Sequence, residues 1–311
     1  MPVTIRPVRP DDYAALAAAA NAAFPGVPHA AEDLRDDDES TKPPQKCFRW
    51  VADVDGRVVG TASFYQSQAR YHPRKFWMDE WVHPEFQRQG IGSALFAQII
   101  SAIAPDQPIS LRGATREDIP HGVAFAERRG FVEGKRTWVS WLDLGAWDPA
   151  RLARPEPAGI EICTLAELQG APGWEQHLLD LYNAIQTDVP DIDPAATVEM
   201  ESFRSSQLDS PRLMPDLYFI ARDGERWVGM TSLWKAADPV QGNTGVTGVL
   251  REYRGRSIAW TLKLRSLKAA QARGYKKVET MNASTNRPML AINEAFGFVK
   301  DPAWIHLIRE F

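Results

Sequence analysis

The chain has 311 residues, 44% of them hydrophobic and 24% charged, and its 36 basic and 40 acidic side chains give a formal net charge of −4. This is the balance of a soluble globular protein long enough for two domains, and it argues against a general nucleic-acid binder. Two cysteines, Cys47 and Cys163, exclude a disulfide framework, and no apolar run reaches the roughly 18 residues of a membrane span. We expect a cytoplasmic monomer or homodimer that holds no metal and binds neither nucleic acid nor membrane.

The first half of the chain alternates between predicted strands and helices. In chain order these are a strand at 3–8, an alanine-rich helix after residue 12, strands at 48–54, 57–67 and 75–82, a helix after residue 90, a strand at 108–113, a helix ending at residue 129 and a strand pair at 131–142. Asp55 and Gly56 mark a hairpin, while Leu95, Ile99 and Ile103 give the helix after residue 90 one buried face. This order predicts an α/β fold with a mixed sheet and helices on both sides.

The second half of the chain repeats the first. The stretch "WVHPEFQRQGIGSAL" (81–95) aligns with "GVLREYRGRSIAWTL" (248–262), and "ERRGF" ending at Phe131 aligns with "EAFGF" ending at Phe298, both at a shift of 167 residues. Equal shifts at separate landmarks indicate two copies of one domain. We predict an N-terminal domain at 1–147, a proline-containing linker at 148–158 and a C-terminal domain at 159–311.

Two glycines and a basic residue lie where the strand at 75–82 leads into the next helix. They mark a tight turn, which needs no function. A helix N-terminus also offers unpaired N–H groups and the positive end of the helix dipole, and glycine lets a phosphate approach them closely. The stretch alone does not distinguish a turn from a phosphate site.

The order of elements and two motifs resemble a known family. "QRQGIG" (87–92) matches the pattern [QR]-x-x-G-x-[GA], "RGF" follows the next helix, and the set is similar to the GNAT superfamily of acetyl-CoA-dependent N-acetyltransferases. In the second copy, "NASTNRPMLAINEAFGF" (282–298) resembles tandem GNAT proteins such as mycothiol synthase and its relatives. The resemblance implies two tandem GNAT-like domains that bind acetyl-CoA as co-substrate and transfer its acetyl group, by direct attack, to the primary amine of a small molecule.

The resemblance also implies which residues contact acetyl-CoA. The pyrophosphate would lie against the N–H groups at the start of the central helix, and a bulge before the motif would splay two strands to admit the pantetheine arm. In the first copy the implied contacts are Val82, Gln87, Arg88, Gln89, Gly90, Ile91, Gly92 and Ser93. In the second copy they are Val249, Arg254, Gly255, Arg256, Ser257, Ile258, Ala259, Asn286 and Asn293. The Val82 backbone N–H is the implied contact of the thioester and its oxyanion.

The catalytic groups are assigned less directly. Direct attack needs a neutral amine, so a base should lie beside the splayed strand. We predict Glu80, which shares the face of Val82, with Asp79 on the opposite face as the alternative. Many family members carry a tyrosine four residues before the "GF" glycine as the acid, but Ala126 and Asn293 occupy those positions here, so the acid stays unassigned.

The two copies are unequal. The second copy has no carboxylate at the position of Glu80 and places Ser257 where the first has Gly90, which favours the first copy, although in tandem relatives the C-terminal copy often reacts. A catalytically silent, duplicated acyl-CoA-binding sensor is the alternative function.

Acidic residues follow the first helix of each copy, in the region that covers the acceptor site in the family. They are "DDDE" (36–39) in the first copy and Asp188, Asp191, Asp193, Glu199 and Glu201 in the second. They would suit a cationic amine, although a solvated loop is the simpler interpretation.

Overall fold

The computed structural model describes residues 3–24, 29–41, 43–67, 71–192 and 197–311, so Asp193 of the predicted acidic segment lies outside the described residues. The strands, in chain order, are β1 (Val3–Pro7), β2 (Cys47–Val54), β3 (Arg57–Tyr65), β4 (Lys75–Val82), β5 (Ser110–Arg116), β6 (Val132–Asp143), β7 (Glu161–Thr164), β8 (Leu213–Asp223), β9 (Arg226–Lys235), β10 (Gln241–Val249), β11 (Lys277–Ala283), β12 (Val299–Lys300) and β13 (Trp304–Glu310). The helices are α1 (Tyr13–Ala23), α2 (Ala31–Ser40), α3 (Ile91–Ile103), α4 (Pro120–Glu127), α5 (Leu165–Leu168), α6 (Trp174–Gln186), α7 (Met200–Phe203), α8 (Ile258–Ala272) and α9 (Arg287–Phe296).

The chain forms two compact units. Unit 1 comprises Met1–Gly134 and Ile305–Phe311, and unit 2 comprises Lys135–Trp304. The predicted domains, 1–147 and 159–311, follow the sequence repeat and differ from the units, because most of β6 lies in unit 2 and β13, except Trp304, lies in unit 1. Residues 137–143 and 304–310 are equivalent at the shift of 167, so the repeat alone does not show which of the two strands belongs to which unit.

Unit 1 has the strand order β1-β2-β3-β4-β5-β13. Strands β1 to β4 pair antiparallel and β4 pairs parallel with β5, which makes the sheet mixed as predicted. Asp55 and Gly56 form the β2–β3 turn with φ of 51° and 83°. Leu95, Ile99 and Ile103 of α3 are fully buried against the sheet, so the predicted apolar face holds α3 in place.

Unit 2 repeats this arrangement with the order β6-β11-β10-β9-β8-β7. Strands β7 to β10 pair antiparallel, β10 pairs parallel with β11, and β6 pairs antiparallel with both β11 and the short β12. Helix α8 takes the place of α3 and buries Leu262 and Leu267. Among the described helices, none is both long and apolar enough to cross a membrane.

Candidate functional site

The central parallel strands of unit 1 separate before they end. Across the described strands, β4 and β5 pair at Lys75–Trp77 with Ser110–Arg112, yet β4 continues to Val82 and β5 to Arg116. The opening holds a cavity of about 480 Å³, here called the unit 1 slot. Its lining includes Val82 of β4, Gly113 of β5, Gly92 of α3 and Phe125 of α4, together with Phe24 beside α1. Edge N–H and C=O groups of the two diverging strands are therefore available to a ligand.

Unit 2 contains an equivalent opening. Its strands β10 and β11 pair at Gln241–Asn243 with Lys277–Glu279 and then diverge around a cavity of about 680 Å³, the unit 2 slot. The predicted bulge is present here, as a register shift between Thr244 and Thr247. In unit 1 the described β3–β4 ladder continues without a shift to Val82, so the bulge expected there is missing and the opening arises from the divergence of β4 and β5.

The loop before α3 contains two residues with left-handed backbone. Arg88 and Gly90 have left-handed φ of 63° and 86°, and the equivalent Gly255 and Ser257 have 77° and 61°. Successive N–H groups in such turns bind anions at helix N-termini. Each copy thus has one glycine and one other residue at the two left-handed positions. Ser257, which the sequence suggested as a weakness of the second copy, has the same backbone conformation as Gly90.

The first residue of each motif holds the end of the preceding strand. The Gln87 side chain donates from Nε2 to the Val82 carbonyl at 3.0 Å, and Arg254 donates from Nε to the Val249 carbonyl at 3.0 Å. Because these side chains hydrogen-bond to the strand ends, the backbone N–H groups are the part of the loop that remains available to a ligand.

Gly92 makes room for two side chains. A Cβ on Gly92 would lie 3.0 Å from Glu80 Oε1 and 3.2 Å from the Phe125 ring. The equivalent pair in the second copy is Thr247 with Ala259, where a shorter strand residue accompanies the methyl group. The missing side chain at Gly92 therefore leaves the space that Glu80 occupies. A Cβ on Gly90, in contrast, would meet no described atom within 4 Å and would face open space.

Substituting Gly92 by alanine should test this steric contact with Glu80. We expect Gly92→Ala to lower the free energy of unfolding by ~1–2 kcal/mol through overpacking against Glu80 and Phe125. In a Glu80→Thr background the cost should be smaller by at least ~0.5 kcal/mol, because the threonine withdraws from the new methyl group. Denaturant unfolding of the four variants measures this coupling, and an equal cost in both backgrounds would contradict the contact.

Glu80 is half-buried in the slot lining on β4, and its Oε2 atom is fully buried. Among the described residues its Oε2 atom has no hydrogen-bond partner. Burial raises the pKa of Glu80 to about 8, and the positive charge of Arg129 only partly opposes this shift. The carboxyl group is consequently protonated at neutral pH.

Asp79 lies on the opposite face of β4 and is solvent-exposed. The pKa of Asp79 is nevertheless raised, mainly because surrounding protein atoms desolvate the carboxylate. The charge of Arg49 opposes this shift, and the charge of Asp37 adds to it. Asp38 of the predicted acidic segment has a structural role, because it accepts hydrogen bonds from Arg49 Nε at 2.7 Å and from the Tyr13 hydroxyl at 3.0 Å.

The unit 1 slot is lined by basic side chains. Besides Arg88 they are Arg128, Arg129 and His121. Arg129 donates to Ser93 Oγ at 2.7 Å, and its guanidinium lies 3.4 Å from the centre of the Phe125 ring. Arg128 and Arg129 were not predicted as site residues, although two adjacent basic residues in "ERRGF" at a helix end were a visible signal.

Unit 2 lacks some of these basic side chains and pairs others with an acidic residue. Ala295 and Phe296 stand at the positions of Arg128 and Arg129. Arg251 and Arg254 both bind Asp188, whose side chain is 17% exposed, and their hydrogen bonds lower the pKa of Asp188 to about 2. Asn293 is buried, accepts from Lys263 Nζ at 2.5 Å and donates to Asn282 at 2.6 Å. The unit 2 slot therefore offers less positive charge than the unit 1 slot.

Most of the predicted cofactor contacts line a slot. In unit 1 these are Val82, Gln87, Arg88, Gly90, Gly92 and Ser93. In unit 2 they are Val249, Arg254, Gly255, Ser257, Ile258, Ala259 and Asn286. The side chains of four others point elsewhere: Gln89 donates to the Glu85 carbonyl, Ile91 packs in the core, Arg256 donates to the Ala158 carbonyl, and Asn293 belongs to the buried contact with Lys263.

Known proteins resemble the chain over its whole length. The model of the acetyltransferase (GNAT) family matches residues 13–131 and 178–298, while no curated protein sequence gives a match. A GCN5-related N-acetyltransferase from Sphaerobacter thermophilus is 21% identical with a TM-score of 0.79, covering 99% of this chain and 95% of that one. A tandem GNAT protein from the clavulanic acid biosynthesis pathway is 23% identical with a TM-score of 0.74, covering 99% and 98%. At these identities the two structures are evidence of a shared fold.

Proposed function

The chain belongs to the acetyltransferase (GNAT) family, and we propose that it transfers the acetyl group of acetyl-CoA to the primary amine of a small molecule. One observation carries this proposal: the diverging strands of unit 1 open directly beside the anion-binding loop at Arg88–Ser93. The loop N–H groups suit a pyrophosphate, and the free strand edges suit the amides of a pantetheine arm. Open space at Gly90 leaves room for the phosphates.

We assign the reaction to unit 1. Arg88, Arg128 and Arg129 bring positive charge to its slot, and Glu80 supplies a carboxyl group. In unit 2 the equivalent of Glu80 is Thr247, whose hydroxyl is 2.7 Å from that of Thr231. Of the two arginines that line the unit 2 slot, Arg254 is paired with Asp188, and Arg154 lies over the Trp260 ring.

Proton transfers accompany the proposed reaction. A protonated amine must lose a proton before its nitrogen lone pair can attack the thioester carbon. Glu80 is the base predicted from the sequence, and Asp79 is the alternative on the other face of β4. The Val82 N–H at the end of the strand is proposed to stabilise the negative charge that develops on the thioester oxygen.

An acyl-CoA sensor without catalysis is the second candidate. It is favoured by Ala126 and Asn293, which place no hydroxyl group at the position of the family tyrosine. A thiol-release assay with acetyl-CoA and a panel of polyamines, aminoglycosides and amino sugars, combined with calorimetry of acetyl-CoA, separates the two functions. We expect binding together with turnover of at least one amine. Tight binding without turnover of any amine would support the sensor, and absence of binding would contradict both functions.

A further inference from the structure

Transfer of the acetyl group releases the sulfur of CoA as a thiolate, which leaves more easily if a proton reaches it as the C–S bond breaks. We propose that Glu80 donates this proton, as the general acid of the unit 1 slot. The proposal rests on the proposed acetyl transfer and reverses the role that the sequence suggested for Glu80.

The position of Glu80 supports direct contact with the reacting atoms. It lies on β4 beyond Trp77, where pairing with β5 has ended, and two residues before Val82 on the same face. Its Oε1 and the ring of Phe125 on α4 both lie next to the Cβ position of Gly92 in the first turn of α3, and all three residues line the slot. The carboxyl group is therefore part of the wall of the opening between the diverging strands.

The surroundings of Glu80 keep a proton on it. Its Oε2 is buried and, among described atoms, unpartnered, and an isolated buried carboxylate is costly. The Arg129 guanidinium donates to the Phe125 carbonyl and to Ser93 Oγ, and among the described contacts it forms no ion pair with Glu80. The raised pKa of Glu80, about 8, agrees with a carboxyl group that is neutral at pH 7 and still acidic enough to protonate a thiolate.

Other side chains of the slot are poorer proton donors. At the position of the family tyrosine, Ala126 offers a methyl group, and its neighbour Phe125 is a hydrocarbon. The hydroxyl groups of Ser93 and Thr115 are very weak acids. His121 is exposed at the start of α4, and the guanidinium groups of Arg88, Arg128 and Arg129 do not release protons at physiological pH. Glu80 is thus the best-placed acid in the described lining.

The proposed step brings one proton to the sulfur and removes one from the nitrogen. The neutral amine forms the C–N bond, the C–S bond breaks, and the Glu80 proton forms the S–H bond of free CoA. The extra proton on nitrogen passes to Asp79 or to water, and Glu80 regains a proton from solvent once the thiol has left. The sum is acetyl-CoA plus amine to acetamide plus thiol. While Glu80 is ionised, the nearby charge of Arg129 stabilises the carboxylate.

The sign of the pH dependence tests the assignment. With the best amine of the panel, the wild-type kcat/KM for the amine, divided by the free-amine fraction at each pH, should fall above pH 8 as Glu80 loses its proton. Glu80→Gln should reduce this value by ~10²-fold at pH 7 and remove the fall. Arg129, whose charge acts on Glu80, is unchanged in the variant, as are Arg88, Arg128 and His121 elsewhere in the slot lining. A corrected wild-type kcat/KM that rises through pH 8 would identify Glu80 as a base and overturn the proposal.

A binding experiment tests the same contact without turnover. The ultraviolet absorbance of CoA bound to the protein reports ionisation of its thiol. If Glu80 lies against the sulfur, the two groups titrate as a coupled pair, and Glu80→Gln should shift the thiol transition to lower pH. Glu85→Gln, which neutralises an exposed carboxylate near the same loop, should leave it unchanged. Identical titrations of wild type and Glu80→Gln would overturn the proposal. If the titration shifts but no amine of the panel is acetylated, the result would count against acetyl transfer and not against the contact between Glu80 and the sulfur.

Discussion

Gly90→Glu should abolish acetyl transfer. Gly90 has φ of 86°, and a side chain there would enter open space in the loop that we assign to the pyrophosphate. A glutamate would place a carboxylate beside the phosphates, and such like-charge contacts cost several kcal/mol. We therefore expect at least ~100-fold weaker binding of acetyl-CoA, measured by calorimetry, and a matching loss of turnover at fixed acetyl-CoA concentration.

Ser257→Glu provides the matched control. Ser257 occupies the equivalent position in unit 2 and has φ of 61°, so the substitution introduces the same charge at the same backbone conformation. If unit 1 carries the reaction, this variant should keep most of the activity. Loss of activity in Ser257→Glu with retention in Gly90→Glu would move the active site to unit 2.

Asn293→Leu should destabilise unit 2 by ~3 kcal/mol. Lys263 is 1% exposed, and its Nζ donates to Asn293 Oδ1. Removing the amide leaves a buried amino group without this acceptor, which is more costly than the loss of a solvent-exposed hydrogen bond. In the double variant Lys263→Met/Asn293→Leu both polar groups are replaced by apolar ones, so stability should recover. Urea unfolding compares the variants, and a double variant no more stable than Asn293→Leu would contradict this explanation.

The pH dependence of unfolding checks the same residue. Burial lowers the pKa of Lys263 from 10.5 to about 7. Between these two values the unfolded chain binds a proton that the folded chain does not, so the contribution of Lys263 to stability increases from pH 7 towards pH 10.5 and is constant below pH 7. Lys263→Met should remove this increase. An unchanged pH profile in the variant would show that Lys263 is not the group responsible.

Much of the fold follows from local signals in the sequence. Leu95, Ile99 and Ile103 specify the buried face of α3, and Asp55-Gly56 specifies the β2–β3 turn. The repeat at a constant shift predicts two copies of one α/β domain, and the matches of the family model to both halves confirm this tandem architecture. These features depend on residues close together in the chain or on the repeat itself.

Other features depend on contacts between distant residues and were not predicted. The placement of most of β6 in unit 2 and most of β13 in unit 1 could not be predicted, because the sequence repeat makes the two strands equivalent. The role of Gly92 becomes clear only when Glu80 Oε1 is found beside it. Asn293 matched a family motif, but its amide is bonded to Lys263 from another helix. Likewise, the protonation of Glu80 follows from desolvation of its carboxyl group. The alternation of side chains between the two faces of a strand does not reveal how strongly a residue is desolvated.

A crystal structure of the protein with acetyl-CoA would show which unit binds the co-substrate. We expect the pyrophosphate on the N–H groups of Arg88–Ser93 in unit 1, the pantetheine arm between β4 and β5, and the thioester beside Val82 and Glu80. Acetyl-CoA found in the unit 2 slot with the unit 1 slot empty would contradict this expectation.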